Sequence, residues 1–142
     1  MEGMRQLIDD LWGSPNSIET AEAMSVVKGL TISGISIDST RGDKLVFEFK
    51  GTPTKLEVWD DGQNCCEYRH IEPDIDLENF VGSKLLDISS MRAGNIDDEE
   101  DAWKVIEVCF LHVTTSAGKF VCSNYNEHNG YYGGFSIRAR LV

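Results

Sequence analysis

Residues 30–37 read LTISGISI, an alternation of apolar and polar side chains that decides the fold of this chain. Successive side chains of a β-strand point to opposite faces of a sheet, so a period of two indicates a half-buried strand. The same pattern returns in KLVFEF at 44–49 and in TKLEVW at 54–59, after short turns at 41–43 and 51–53. Three sequential antiparallel strands are therefore predicted.

The segment before these strands has helical spacing instead. Leu7, Ile8 and Leu11 lie three or four residues apart, and a second short helix is predicted from a capping Ser17 to Val27. The apolar stripe of the first helix offers a self-complementary patch, and a single sheet leaves one face or edge to cover. A homo-oligomer, dimeric or larger, is therefore expected.

The chain after the three strands alternates again. A capped helical turn is predicted at 76–82, a strand at 84–90, a polar acidic loop at 91–101, and strands at 103–115, 119–124 and 131–142. We expect an α+β fold, a strongly bent antiparallel sheet with a few short helices on one face. Residues 1–29 form a helical lead-in and residues 30–142 the sheet core of a single domain.

The chain has 142 residues and carries 24 acidic residues against 13 lysines and arginines, a formal charge of -11. That balance opposes binding to long nucleic acids and to anionic membranes, although two or three local arginines suffice to hold one small phosphorylated ligand. No apolar run reaches the roughly 18 residues of a membrane span. The first residues also lack the apolar segment of a signal peptide. We therefore expect a soluble, cytoplasmic protein.

The adjacent Cys65 and Cys66, followed by His70, raise the question of a metal site, since thiolate and imidazole bind zinc. Adjacent residues of an extended chain point to opposite faces, and no second ligand pair follows. Neither a phosphate-binding loop nor a glycine-rich nucleotide motif nor a nucleophile elbow is present. A binding protein without cofactor or metal is favoured over an enzyme. A hydrolase that depends on cysteine or a metal stays open.

Candidate ligand-binding residues are those that can stack on a base, read its edge or hold a phosphate. Residues 92–95 together with Trp103 combine an arginine, an amide and an aromatic ring. The loop 124–132 with Arg138 on the strand behind it combines the same three groups. A hairpin around an Asn-Gly turn is the simpler interpretation of that loop, and a surface salt bridge that of each arginine. The candidate residues are Arg69, Arg92, Asn95, Trp103, Asn124, Tyr125, Asn126, Tyr131 and Arg138.

Four short segments carry a family resemblance: DDGQNCCE at 60–67, IE at 71–72, DLENFVG at 76–82 and NGYY at 129–132. They resemble a family of small phage and bacterial proteins with a Gln-Asp/Asn-Cys-Cys-Glu signature, which includes the phage-encoded Thoeris anti-defence sponges. The resemblance covers the chain from about residue 30 onwards. It implies an oligomeric α+β protein that sequesters a cyclic ADP-ribose isomer, made by an immune TIR enzyme, without cleaving it. Some members are also credited with holding cyclic oligonucleotides at separate sites.

Two hypotheses follow from different observations. The resemblance and the candidate residues favour sequestration of a cyclic nucleotide signal. The charge of -11 is the basis of the alternative, an acidic interaction protein that mimics DNA and blocks a basic host defence protein. Mimicry predicts carboxylates arrayed on one face, whereas a sponge predicts one pocket with local positive charge.

Overall fold

The computed structural model describes residues 18–61, 68–97, 104–128 and 134–142. Within these residues the chain is α+β, as predicted, and all strand pairs are antiparallel. In chain order the elements are helix α1 (Ile18–Val27), strands β1 (Ile32–Asp38), β2 (Lys44–Phe49), β3 (Lys55–Asp60) and β4 (Tyr68–Pro73), a 3-10 helix (Leu77–Phe80), and strands β5 (Leu85–Asp97), β6 (Val105–Thr115), β7 (Gly118–His128) and β8 (Ile137–Leu141).

Helix α1 confirms the second predicted helix. Gly29, two residues beyond the end of the helix, has φ +88°, a backbone conformation that glycine adopts without strain. The Thr20 hydroxyl accepts a hydrogen bond from the N–H of Ala139 in β8 at 3.0 Å, so α1 covers the outer edge of that strand. The first predicted helix lies outside the described residues. None of the helices in the described part of the chain is long and apolar enough to span a membrane.

Strands β1, β2 and β3 form the three-stranded arrangement that the alternation predicts, and β8 completes the sheet in the order β1-β2-β3-β8. Ile137 at the start of β8 lies opposite Asp60 at the end of β3. The strand predicted at 131–142 therefore begins later than expected within the described residues, because Gly134 has φ +77° and interrupts extended pairing. The side chains of β2 and β3 that are completely buried are Leu45, Phe47, Leu56 and Val58.

The second sheet, in the order β4-β7-β6-β5, departs from the prediction at three places. β5 runs on to Asp97 through a stretch predicted as a loop, since its backbone pairs with β6 on both sides of a bulge between Arg92 and Gly94. An edge strand tolerates polar residues, so the sequence of the second half of β5 lacks the apolar alternation by which a strand is recognised. β4, with the sequence YRHIEP, was not predicted, and β7 continues beyond Asn124 to His128.

The strands form two four-stranded sheets instead of one bent sheet, because β4 pairs with β7 and not with the β3 that precedes it. Both sheets contribute to one apolar core, for example through Phe47 of β2 and Leu111 of β6. Each sheet covers the apolar face of the other and removes it from water. The 3-10 helix adds Phe80, whose ring centroid lies 4.7 Å from that of Phe120 in β7.

Candidate functional site

A cleft opens at one edge of the two sheets, where the turn between β1 and β2 faces the edge strand β4. Its volume is about 260 Å³. One wall consists of the turn and the adjoining ends of β2 and β3, and the other of β4 and β7. Three predicted site residues lie here, one on β4 and two on β7. The lining residues are Arg41, Gly42, Asp43, Lys44, Trp59, Asp60, Arg69, His70, Ile71, Asn124 and Tyr125.

The β1–β2 turn has a defined conformation that follows from its sequence. Asp38 Oδ1 accepts hydrogen bonds from the Thr40 hydroxyl at 2.6 Å and from the Thr40 N–H at 3.0 Å. These two bonds hold the pKa of the Asp38 carboxyl below its ordinary value. Asp43 Oδ2 accepts a hydrogen bond from the Ile71 N–H at 2.8 Å and ties the turn to β4. The turn thereby places the exposed Arg41 beside the cleft.

Trp59 forms an aromatic part of the wall next to two cations. Lys44 Nζ lies 5.4 Å and Arg140 Cζ 4.9 Å from the centroid of the Trp59 ring, within the range of cation–π attraction. Glu57 accepts a hydrogen bond from Arg140 Nε at 3.0 Å, and its Oε1 lies 3.8 Å from Lys44 Nζ. Lys44 and Arg41 are thus two cations that line the cleft, Lys44 being balanced in part by Glu57.

A stack of three rings crosses β4 and β7 at the opposite wall. The His70 ring centroid lies 4.8 Å from that of Tyr68 and 4.8 Å from that of Tyr125, with interplanar angles of 27° and 18°. His70 Nε2 lies 3.2 Å from Glu127 Oε2. Lys104 Nζ lies 2.6 Å from the other carboxylate oxygen of Glu127, and its hydrogen bond lowers the pKa of that carboxyl. Tyr125, predicted as a ligand-binding residue, therefore lines the cleft with its ring supported by His70.

Arg69, predicted to hold a ligand phosphate, is already engaged within the protein. Its guanidinium forms an ion pair with Asp60 and donates a hydrogen bond to the Gly134 carbonyl at 3.0 Å. The two side chains are only 7% and 6% exposed. Asp60 also accepts a hydrogen bond from the Ser136 N–H at 2.9 Å. The pair joins β3, β4 and the segment before β8, and it lies at the base of the cleft.

Two of the predicted amides are buried on the inward side of β7. Asn124 Nδ2 donates to the Cys109 carbonyl at 3.3 Å and to the Cys122 carbonyl at 3.5 Å. Asn126 Nδ2 donates to the Gly134 carbonyl at 3.4 Å. The Oδ1 atom of each amide is buried and has no hydrogen-bond partner within the described ranges. Asn124 lines the cleft, whereas Asn126 does not.

Three further predicted residues lie away from the cleft. Arg92 and Asn95 belong to β5, which is separated from β4 by two strands, and not to the predicted loop. Arg92 donates a hydrogen bond to the Phe135 carbonyl at 3.1 Å. Arg138 lies on β8, with its Nε 3.3 Å from Asp61 Oδ2. The structure therefore does not bring the first predicted stretch, 92–95, to the cleft that contains part of the second.

The described residues do not include four others that the sequence singles out: Trp103, Tyr131, Cys65 and Cys66. Burial raises the pKa of the Cys122 thiol to about 12, so this cysteine stays protonated at neutral pH. Among the residues that the structure describes, no group of three or more His, Cys, Asp or Glu side chains could hold a metal ion.

His128 belongs to the stretch 124–132 that is predicted as a loop, and it is instead buried at the end of β7. Its Nε2 lies 2.6 Å from Glu107 Oε1, and the same oxygen accepts a hydrogen bond from the Gly134 N–H at 3.1 Å. These contacts attach the segment before β8 to β6 and β7. His128 therefore serves to hold these parts of the fold together.

Several residues that line the cleft were not predicted as ligand-binding residues, and those among them with a cationic or aromatic side chain are Arg41, Lys44, Trp59 and His70. A local signal exists only for Arg41, because the Asp-x-Thr pattern of residues 38–40 predicts a side-chain-stabilised turn. The other three lie on different strands. Lys44 and Trp59 are neighbours in the pairing of β2 with β3. Only the arrangement of the two sheets brings His70 to the same cleft, and no local pattern reveals that arrangement.

Comparison with known proteins gives one match. No curated protein and no solved structure matches the chain. A family model described as "Domain of unknown function (DUF7448)" matches residues 23–137. The matched segment starts within α1 and ends at the first residue of β8, so it contains every residue that lines the cleft. The chain belongs to the DUF7448 family.

Proposed function

We propose that the protein is a phage anti-defence protein that binds and sequesters a cyclic nucleotide immune signal, a cyclic ADP-ribose isomer, in the host cytoplasm without cleaving it. The observation that carries this proposal is the cleft, where the cations Arg41 and Lys44, the rings of Trp59 and Tyr125 and the residue Asn124 come together. These groups are the ones that bind phosphate, stack on a base and read its edge. The resemblance of residues 60–67 and 76–82 to the sponge family supports this choice of ligand.

In the proposed complex, Arg41 and Lys44 contact the pyrophosphate, and Trp59 and Tyr125 flank the adenine. Arg41 lies exposed on a turn that is already ordered by Asp38. Little backbone entropy is therefore lost at this turn when the ligand binds. Charge-assisted hydrogen bonds and base stacking contribute about 1–3 kcal/mol each, so a few of them suffice for tight sequestration.

The size of the cleft supports an oligomeric form of the proposal. Its volume of about 260 Å³ is below the roughly 300–1,000 Å³ of pockets that enclose a drug-sized ligand. A cyclic ADP-ribose isomer would fill the cleft and extend beyond it. We propose that a second copy of the chain covers the remainder of the ligand, near the exposed ring of Tyr68 next to His70.

Sequestration without cleavage agrees with the state of the described cysteine thiols. Cys109 and Cys122 are buried, and burial keeps Cys122 protonated. Neither lines the cleft. A cysteine nucleophile would need a thiolate that can reach the ligand.

The charge pattern of the first sheet does not favour the alternative, a DNA mimic. On the outward face the carboxylates alternate with cations. Lys55 Nζ lies 3.1 Å from Glu48, Arg140 Nε 3.0 Å from Glu57, and Arg138 Nε 3.3 Å from Asp61. A mimic needs a row of uncompensated carboxylates at phosphate-like spacing.

The proposal is tested by loading the purified protein with a cyclic ADP-ribose isomer, removing free ligand by filtration, and releasing the bound fraction by heat. Mass spectrometry is expected to detect the intact cyclic molecule. A linear or hydrolysed product would identify an enzyme. The same procedure with lysate from cells that have an activated TIR defence system would show whether a nucleotide, a cyclic oligonucleotide or a protein is retained. A stoichiometric protein partner and no nucleotide would favour the mimic.

Variants locate the site. Arg41→Ala and Lys44→Ala are each expected to weaken binding about tenfold or more, since each removes a charged contact. Lys50→Ala is the matched control, because Lys50 is exposed just beyond the other end of β2 from Lys44. Equal affinity of all three variants and the unmodified chain would place the ligand elsewhere.

A further inference from the structure

We infer that ligand binding in the cleft is coupled to protonation of His70, so that the protein holds an anionic ligand more tightly at pH 6 than at pH 8. The inference rests on the proposed function and specifies how the affinity of that same site is regulated. It starts from one residue in the wall of the cleft, since histidine is the side chain that ordinarily changes its charge between pH 5 and 8.

The ring of His70 lies where an imidazolium has partners and also meets the cleft. Its side chain lines the cleft and is 21% exposed. The rings of Tyr68 and Tyr125 stack on it with centroid distances of 4.8 Å, and aromatic faces attract cations. Nε2 lies 3.2 Å from Glu127 Oε2, and Nδ1 lies 3.8 Å from Glu72 Oε1. A positive charge on this ring therefore has counter-ions and stays within reach of a ligand.

The other charged groups around His70 keep their charge while a histidine titrates. Carboxylates, lysines and arginines are ordinarily ionised from pH 6 to 8, and tyrosines are neutral. The hydrogen bond from Lys104 holds the pKa of the Glu127 carboxyl below its ordinary value, so this counter-ion is a carboxylate throughout the range. Among the described groups at the cleft, a change in affinity over this range is therefore assigned to His70. The groups that face His70 or share the cleft with it are Tyr68 and Glu72 on β4, Tyr125 and Glu127 on β7, Lys104 before β6, and Arg41, Asp43, Lys44, Asp60 and Arg69 along the cleft.

An anion bound in the cleft lies within electrostatic range of His70. A volume of about 260 Å³ equals that of a cube with an edge of roughly 6 Å, which is less than the Debye length of about 8 Å at physiological ionic strength. In the proposed complex Arg41 and Lys44 hold the pyrophosphate, whose negative charges attract an imidazolium more strongly than a neutral imidazole. Binding therefore takes up a proton and becomes tighter as the pH falls. We expect an about three- to tenfold lower dissociation constant at pH 6 than at pH 8.

The two other histidines of the chain lie in different surroundings. His128 is buried and already paired with Glu107, with Nε2 2.6 Å from Oε1. His112 lies on β6, where its Nε2 is buried without a hydrogen-bond partner in the part of the chain that the structure describes, and the ring of Phe110 meets it edge-on. Neither histidine lines the cleft. His112 therefore offers a control with the same chemistry at a different place.

The experiment is calorimetry of the unmodified protein with a cyclic ADP-ribose isomer at pH 6, 7 and 8. At pH 7 it is repeated in two buffers with different heats of ionisation, which gives the number of protons exchanged per ligand. Uptake of a fraction of a proton, together with a dissociation constant at least three times lower at pH 6 than at pH 8, supports the inference. Equal dissociation constants, or a release of protons, overturn it and leave the proposed function intact. Absence of binding at every pH overturns the proposed function and the inference together.

Variants assign the proton to His70. His70→Phe keeps an aromatic ring in the stack and His70→Gln keeps a polar group beside Glu127, and neither new side chain takes up a proton. Both variants, checked for folding by circular dichroism, are expected to lose the proton uptake and to bind equally at pH 6 and pH 8. His112→Phe is the matched control and is expected to keep the pH dependence of the unmodified chain. Uptake that persists in both His70 variants would place the titrating group elsewhere, on the protein or on the ligand, and overturn the inference.

Discussion

Arg69→Met is expected to destabilise the fold strongly, because it leaves the buried Asp60 carboxylate without its cation. Asp60 is 6% exposed and would retain the hydrogen bond from the Ser136 N–H but lose the guanidinium. The Gly134 carbonyl would lose a donor as well. Removing one partner of a buried ion pair costs about 3–5 kcal/mol. At about 3 °C per kcal/mol for a domain of this size, the melting temperature should fall by roughly 10–15 °C.

The measurement is urea unfolding followed by circular dichroism, with the slope of the transition checked for constancy. Arg140→Met is the matched control, because Arg140 also pairs with a carboxylate, that of Glu57, but its side chain is 39% exposed. Surface pairs of this kind contribute about 0–1 kcal/mol. The additional change Asp60→Asn should recover part of the stability of Arg69→Met, since it removes the isolated charge. Equal losses in Arg69→Met and Arg140→Met would refute this reasoning, because burial of the Arg69–Asp60 pair would then have no measurable effect on stability.

Three further predictions concern stability, pH and reactivity. Thr20→Val should cost about 1–3 kcal/mol in urea unfolding, because the Ala139 N–H loses its acceptor, and Thr20→Ser should cost much less. The Lys104 hydrogen bond lowers the pKa of Glu127, so the free energy of unfolding should fall as the pH drops through the folded pKa of this carboxyl, below its ordinary value near 4.5. Lys104→Met should make the free energy of unfolding less dependent on pH in this range. The same pH profile in the variant and the unmodified protein would contradict this prediction. Cys122, with its pKa raised to about 12, should resist iodoacetamide at pH 8 in the native protein and react in urea, as followed by peptide mass spectrometry.

The sequence predicts those parts of the fold in which side-chain alternation reflects burial. Strands β1, β2 and β3 and helix α1 have clear periods, because one face of each element packs in the core and the other meets solvent. β4 and the second half of β5 are edge strands with polar residues, and the backbone pairing that defines them leaves no such period. The division into two sheets follows from the pairing of β4 with β7, which is a long-range contact.

The candidate site is only partly predictable for the same reason. Asn124 and Tyr125 were recognised from their chemistry, and both line the cleft. Arg69 was recognised too, but its type does not reveal that Asp60 already neutralises it. Trp59 and Lys44 lie in strands that read as ordinary sheet, and only the arrangement of the two sheets turns them towards a common cleft.

The pairing of β3 with β8 has a kinetic consequence. Strands β1 to β3 can form as a local unit, and so can β5 to β7, because each pairs with its neighbour in the chain. Asp60 and Ile137 can meet only after a long loop containing the whole second sheet closes, and that closure costs entropy before any contact repays it. We therefore expect β8 to dock after both local units have formed, and α1 to dock on β8 after that. Until then the edge of β3 stays unpaired, which makes this intermediate the species most exposed to association with other chains.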